Sequence, residues 1–343
     1  MTIVGVMTFS KQGKKTAERL FGTWQDAIPL YYINDTPKEA WIAMAFSYHI
    51  PILFVGAMGI AVRLIAPCIK DKLQDSPVIV MDERGEHVIP VLSGHMGGAN
   101  AMAVQMAKQL GAEVVLTTAT DVEGVFAVDV FARKNGFSVW NRDGIRAISQ
   151  KMLENETVRV AIAKEIAFPS IDIPKNFWLV ETEEKADLWI GTKPREEETV
   201  LQLIFQPYVL GMGCKKGKAF TELQPFVEAV IKERKIKMSE VYAMASIDMK
   251  RKEWGLLYLS CFYHLPFFTY TAEQLQTVEG NFSASGFVAQ VTGVPNVCER
   301  SAIAAADKDA ELVMKKQAKE GMTIAIAKRK PQIMDWSTDV KRA

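Results

Sequence analysis

Histidine and cysteine are scarce in this sequence, with four of each in 343 residues. Cys68, Cys214, Cys261 and Cys298 lie far apart and form no CxxC pair, and the histidines show no paired spacing. A structural zinc site therefore has little to build on, and reduced thiols in a cytosolic protein are expected. An excess of either charge is also missing. Lys and Arg total 41 against 40 Asp and Glu, a net charge of +1. That excludes a broad nucleic-acid footprint, while a local basic patch could still meet an anionic small molecule. Long apolar runs are absent too: the longest are strand-sized and broken by Gly, Pro or charge, so no transmembrane helix is expected. The opening segment MTIVGVMTFSKQGKK has too short an apolar run for a signal peptide, and a soluble, cytoplasmic protein with no membrane partner is expected. Two catalytic signatures are lacking as well. No GxSxG elbow occurs, and Gly13-Lys14-Lys15-Thr16 is not the end of a Walker A loop, because Thr8 stands where the upstream glycine is needed.

What is present is a balanced globular chain, 49% hydrophobic and 24% charged, long enough for two or three α/β units. Short β-rich runs alternate with amphipathic, helix-length segments. Ile3 to Phe9 reads as a buried strand, and Ser10 as the cap of the helix that follows. A helix over Lys38 to Ser47, strands at Ile52 to Val55 and Pro77 to Met81, and a helix over Asn100 to Leu110 closed by Gly111 continue the pattern. Asp82-Glu83-Arg84-Gly85 reads as a turn in which Gly85 takes positive φ. A second alternation begins at Tyr208 and includes the apolar stripe Leu223, Phe226, Val227 and Val230. The predicted fold class is α/β: two Rossmann-like sandwich units, residues 1–125 and 206–343, with a less regular middle region over 126–205. The polar run Gly191 to Glu198 reads as an exposed turn or a linker.

Four segments place glycines or hydroxyls where a strand ends, the usual ligand position in open α/β sheets. In Gly56-Ala57-Met58-Gly59-Ile60-Ala61-Val62-Arg63, glycines allow close backbone approach and Arg63 could hold a carboxylate; a tight turn with Arg63 in an ion pair reads equally well. In Leu92-Ser93-Gly94-His95-Met96-Gly97-Gly98-Ala99-Asn100, a lone His among small residues at the mouth of a helix could move a proton near neutral pH. Thr117-Thr118-Ala119-Thr120-Asp121 could bind polar groups or simply cap a helix. Gly211-Met212-Gly213-Cys214-Lys215-Lys216-Gly217 is a glycine turn whose two lysines suit an anion, with Cys214 read as a space-filling residue.

Taken in order, these segments resemble the cobalt-precorrin-5A hydrolases, the CbiG family. GAMGIAVRLIAPCIKDKLQDSPVIVMDERGEHVIPVLSGHMGGAN at 56–100, TTATDVEGVFAVDVFA at 117–132, GMGCKKG at 211–217 and TGVPNVCERSAIAAA at 292–306 are similar to the family, LSGHMGGAN most specifically. The chain departs from it in Lys215 and Lys216, where Arg is usual, and in Cys298 and Arg300, where small apolar residues are usual. The resemblance implies an enzyme of anaerobic cobalamin biosynthesis that opens the δ-lactone of cobalt-precorrin-5A and releases acetaldehyde to give cobalt-precorrin-5B. It implies no protein-held cofactor or metal, because the cobalt belongs to the corrinoid substrate, and transient contact with neighbouring pathway methyltransferases. His95 is then the candidate base, glycine-loop N–H groups steady the oxyanion, and Asp121 or Glu123 is a further proton acceptor. Gly56, Gly59, Arg63, Ser93, Gly97, Gly98, Asn100, Thr118, Lys215 and Lys216 are candidate substrate contacts, with Lys70 and Lys72 as additional cations. Two rivals remain: a non-catalytic corrinoid or tetrapyrrole carrier, and a nucleotide-dependent oxidoreductase using the GMGCKKG turn.

Overall fold

The computed structural model describes residues 1–338 except 72–73, 96, 119–122, 182–184, 197–200, 284–285 and 308, and leaves out the side chains of 287–289. Contacts divide the chain into two units: Ile3–Phe205 with Gln332–Ala343, and Gln206–Pro331 with Met1–Thr2.

In the first unit, β1 (Thr2–Thr8) leads to α1 (Lys11–Thr23), whose N-cap is Ser10 as the sequence predicts; its hydroxyl accepts from the Gly13 N–H at 3.0 Å. Then come β2 (Ala27–Tyr31), α2 (Lys38–Ser47), β3 (Ile52–Val55), α3 (Met58–Ile65), β4 (Val78–Met81), β5 (His87–Leu92), α4 (Ala99–Leu110) and β6 (Glu113–Val114). The sheet runs in the order β2-β1-β3-β4-β5-β6, with β1, β3 and β4 parallel. The central strands are apolar because both faces are covered: every residue of β3 and of β4 is buried. Leu20 of α1 and Ala103, Met106 and Ala107 of α4 close over Val4, Val6, Leu53, Val55 and Met81.

One strand reverses the sheet. β5 pairs antiparallel with β4, Val78 opposite Leu92 and Met81 opposite Val88, and β6 then runs parallel to β5. The reversal is made by the Asp82 carboxylate. It accepts backbone N–H groups from Arg84, Gly85, Glu86 and His87 at 2.5 to 3.0 Å, and Gly85 takes φ +73°.

The middle region has a sheet of its own, more regular than its sequence suggests. It comprises α5 (Val128–Asn135), β7 (Phe137–Val139), α6 (Gly144–Leu153), β8 (Val158–Ile162), β9 (Phe177–Val180), β10 (Leu188–Gly191) and β11 (Leu201–Phe205), in the order β7-β11-β10-β8-β9. The polar run after Gly191 joins the neighbouring parallel strands β10 and β11. Residues 332–338 belong to this core and not to the 206–343 unit predicted for them. Trp336 is 2% exposed, stacks on Phe131 at 5.2 Å and donates its indole N–H to the Pro169 carbonyl.

The second unit comprises β12 (Tyr208–Cys214), α7 (Phe220–Glu233), β13 (Val241–Ile247), α8 (Trp254–Phe262), β14 (Phe267–Tyr270), α9 (Ala272–Gln276), α10 (Gly286–Thr292), α11 (Cys298–Ala306), β15 (Glu311–Lys319) and β16 (Met322–Lys328). Its sheet order is β14-β13-β12-β16-β15, parallel over β12 to β14 and antiparallel beyond. Among the described residues no helix is long and apolar enough to cross a membrane.

The Asp82 turn gives a direct test. Partial burial opposes its charge, but the four N–H donors win and hold its carboxyl below the usual aspartate range. A depressed folded pKa stabilises the fold above the unfolded value, roughly pH 4, and this is lost as pH falls through the folded value. Asp82→Ala should cost about 1–2 kcal/mol in urea unfolding at pH 7, a solvent-discounted figure, and the difference from wild type should shrink on acidification. An unchanged midpoint at pH 7 would remove Asp82 from this role.

Candidate active site

The reversal of β5 decides which predicted residues meet. The carboxyl ends of β3 and β4 share one edge of the first sheet, where the Gly56 N–H donates to the Met81 carbonyl at 2.8 Å. The carboxyl end of β5 lies beside Val78, at the start of β4, and therefore on the opposite edge. Gly56 and Gly59 are thus separated by the sheet from the LSGHMGGAN loop. Arg63 is exposed in the last turn of α3, its guanidinium 3.8 Å from where a Cβ on Gly59 would stand, and it makes no ion pair with a described residue. A cavity of about 660 Å³ opens on the Gly56 side, lined by Thr8, Phe9, Lys14, Glu18, Tyr31, Tyr32, Ile33, Asn34 and Lys38, none of them a predicted site residue.

The β5–β6 edge gathers the rest. Ser93 is buried with φ +55°, a left-handed conformation held by its hydroxyl bond to the Asp75 carbonyl at 2.8 Å. The chain then folds onto itself: Gly98 N–H donates to the His95 carbonyl, Ala99 N–H to Ser93 and Asn100 N–H to Gly94, at 3.0 to 3.1 Å. These three amides are committed inside the loop and are not the oxyanion donors that the sequence suggested for it. Gly97 sits so close that a Cβ would lie 2.5 Å from that of Ser93. Gly98, at φ +88°, caps α4 where a side chain would collide with the Arg133 guanidinium. Because β6 runs alongside β5, its following loop reaches the same place: the Asn100 side-chain amide donates to the Thr118 hydroxyl at 2.9 Å. Lys70 is exposed, and its backbone N–H donates to the buried Asp75 carboxylate at 2.9 Å.

Two residues that the sequence reading did not single out complete this edge. His95 Nδ1 stands 3.3 Å from Asp129 Oδ2, with side-chain exposures of 18% and 6%. Asp129 lies in the first turn of α5, and its other oxygen accepts the Val130 N–H at 3.0 Å. Arg133 follows one turn later. Although exposed as a residue, its guanidinium packs on Gly98; desolvation there lowers its pKa, Asp129 opposes the shift, and it remains a cation. Glu123 is exposed, while Asp121 and Lys72 lie outside the described residues.

Lys215 and Lys216 belong to the other unit, and both are exposed. There the predicted glycine turn is mostly strand: β12 continues to Cys214 and contains Gly211 and Gly213. Gly211 is required because the Cys298 carbonyl of α11 occupies the space of a Cβ, so this glycine serves helix–sheet packing and not a dinucleotide loop. The turn itself is pinned by Lys215 N–H to Gly321 O at 2.8 Å and Gly217 N–H to Glu253 Oε1 at 2.7 Å. Among the described residues no group of three or more His, Cys, Asp or Glu could hold a metal ion.

Similarity to known proteins can be set against this geometry. Residues 40–121 match the family model "Cobalamin synthesis G N-terminal", and residues 208–327 match "Cobalamin synthesis G C-terminus". The chain is 34% identical to the cobalt-precorrin-5A hydrolase of Salmonella typhimurium over 74% of this chain and 75% of that protein. It is 31% identical to the cobalt-precorrin-5A hydrolase of Priestia megaterium over 94% of each. The chain belongs to the CbiG family. A crystal structure of a cobalamin biosynthesis protein G homolog from Sulfolobus solfataricus aligns over 95% of this chain and 97% of that one, at 20% identity and a TM-score of 0.42. Membership of CbiG assigns the chain to cobalamin biosynthesis and sets aside the nucleotide-dependent oxidoreductase. The His95 loop falls within the N-terminal match; Asp129 and Arg133 lie beyond its end.

Cys214 can be tested as a nucleophile. Desolvation pushes its thiol up to about 11, with Lys250 and Lys218 opposing and Glu253 adding to the shift. The thiol is therefore protonated at neutral pH. Iodoacetamide labelling of the Cys214 peptide, followed by mass spectrometry, should stay slow at pH 8 and rise only as the pH approaches 11. Half-maximal labelling near pH 8.5 would contradict the shift.

Proposed function

We propose that this chain is a cobalt-precorrin-5A hydrolase, opening the substrate's δ-lactone and releasing acetaldehyde to give cobalt-precorrin-5B. The observation that carries the reading is the alignment, over 94% of both chains, with a relative named for that reaction. The reaction edge is the one at the ends of β5 and β6. Water attacks the lactone carbonyl while His95 takes its proton, so the water oxygen joins the new carboxyl group and the ring oxygen leaves as a hydroxyl. That hydroxyl then gives up its proton as the adjacent carbon–carbon bond breaks. Its oxygen leaves in acetaldehyde, and the macrocycle keeps the electron pair and takes up a proton. The same imidazole can serve both proton transfers, with Asp121 and Glu123 as the further acceptors.

Charge developing on the lactone oxygen meets the Arg133 cation, which is packed against the His95 loop. Ser93, Gly97, Gly98, Asn100 and Thr118 shape the site. Gly56, Gly59 and Arg63, on the far edge of the sheet, and Lys215 and Lys216, in the other unit, take no part in this step. The cobalt arrives with the substrate, and no resident cofactor is needed. Transient contact with the pathway's methyltransferases, and a cytoplasmic location, belong to the same reading.

The test is acetaldehyde release from enzymatically prepared cobalt-precorrin-5A under anaerobic conditions. One acetaldehyde per substrate is expected, and His95→Ala should slow release by roughly a hundredfold or more while the protein stays folded. Corrinoid binding without release would favour a carrier, and normal release by the variant would remove His95 as the base.

A further inference from the structure

We propose that Asp129 is the positioning residue of this site: its buried carboxylate holds the His95 ring through Nδ1 and so makes Nε2 the atom that takes the proton. The inference rests on the reading of His95 as the base. Three observations carry it. The first is contact, Oδ2 to Nδ1 at 3.3 Å, which places an acceptor where only a protonated Nδ1 is satisfied. The second is burial. A carboxylate with 6% side-chain exposure is costly to keep charged without compensation, and Asp129 has it in the Val130 N–H, the start of α5 and the Arg133 cation one turn on. The third is fixation from both sides. The His95 backbone is tied by the Gly98 N–H, and Arg133 lies against Gly98, so ring and carboxylate are held by the same packed group.

The arrangement follows the logic of a base oriented by a third group. A neutral imidazole has two tautomers, and the one protonated at Nε2 cannot accept a proton there. By favouring Nδ1–H, Asp129 keeps the productive form populated, and it stabilises the imidazolium formed once the proton has moved. The Asp129 carboxylate stands at this ring, and the Arg133 guanidinium lies against Gly98 of the same loop.

The experiment uses full-length, nitrogen-15-labelled protein. Long-range proton–nitrogen spectra report the tautomer of each histidine, and with four in the chain the His95 signals are assigned by their loss in His95→Ala. Wild type should show His95 protonated at Nδ1 when its ring is neutral. Asp129→Asn and Asp129→Ala, checked for fold by circular dichroism, should shift the population toward Nε2–H. Both should lower kcat for acetaldehyde release by roughly a hundredfold or more, with little change in KM. A wild-type His95 protonated at Nε2 overturns the proposal, and so does a loss of kcat with the tautomer unchanged, which marks a merely structural carboxylate. If wild type releases no acetaldehyde, the hydrolase reading fails, while the spectra still decide whether Asp129 sets the ring.

Discussion

The Asp82 carboxylate, gathering four backbone amides into one tight turn, is the contact on which the layout of the site depends. It sends β5 back against β4, and a four-residue strand thereby separates the two glycine-rich segments of the N-terminal match. Without the reversal, Gly56 and His95 would face the same edge. With it, the His95 loop meets the loop after β6 and the start of α5. The site is therefore assembled between the first sheet and the layer that covers the second, inside a single unit of the chain.

The loop itself shows how small residues can hold a histidine without large apolar neighbours. Ser93 accepts a left-handed backbone because its hydroxyl bonds to Asp75, and the carbonyls of Ser93, Gly94 and His95 are occupied by the amides that start α4. A buried polar network of this kind is stable only if its members are satisfied. The Asp129–Arg133 spacing on α5 supplies opposite charges from one helical face to a loop that contains no Lys or Arg of its own.

Much of the α/β pattern was legible because buried strands are apolar runs and helices carry caps. Ile52 to Val55 and Lys38 to Ser47 have the bounds the residues imply, and Ser10 and Gly111 act as the caps expected. What was not legible was strand direction. Asp82 to Gly85 was plainly a turn, but the reversal it makes puts β5 and β3 carboxyl ends on opposite edges, a fact of pairing and not of local composition. Short strands such as Phe137 to Val139 carry too few residues for a period to show. Gly211 misled for a related reason: a glycine needed for close helix packing looks the same in sequence as one needed for a ligand. Asp129 did leave a signal. It is an acid at a position flanked by Val128, Val130 and Phe131, and a charge among core residues calls for a partner.

The central claim is that chemistry occurs at the His95 edge of the first sheet. The measurement that tests it most directly is a crystal structure of the His95→Ala protein with unreacted cobalt-precorrin-5A bound. The account predicts the lactone carbonyl beside residues 93–100, with room for one water where the imidazole would stand and Arg133 on the same side. A lactone bound instead against Gly56 and the Phe9–Lys38 cavity would contradict it.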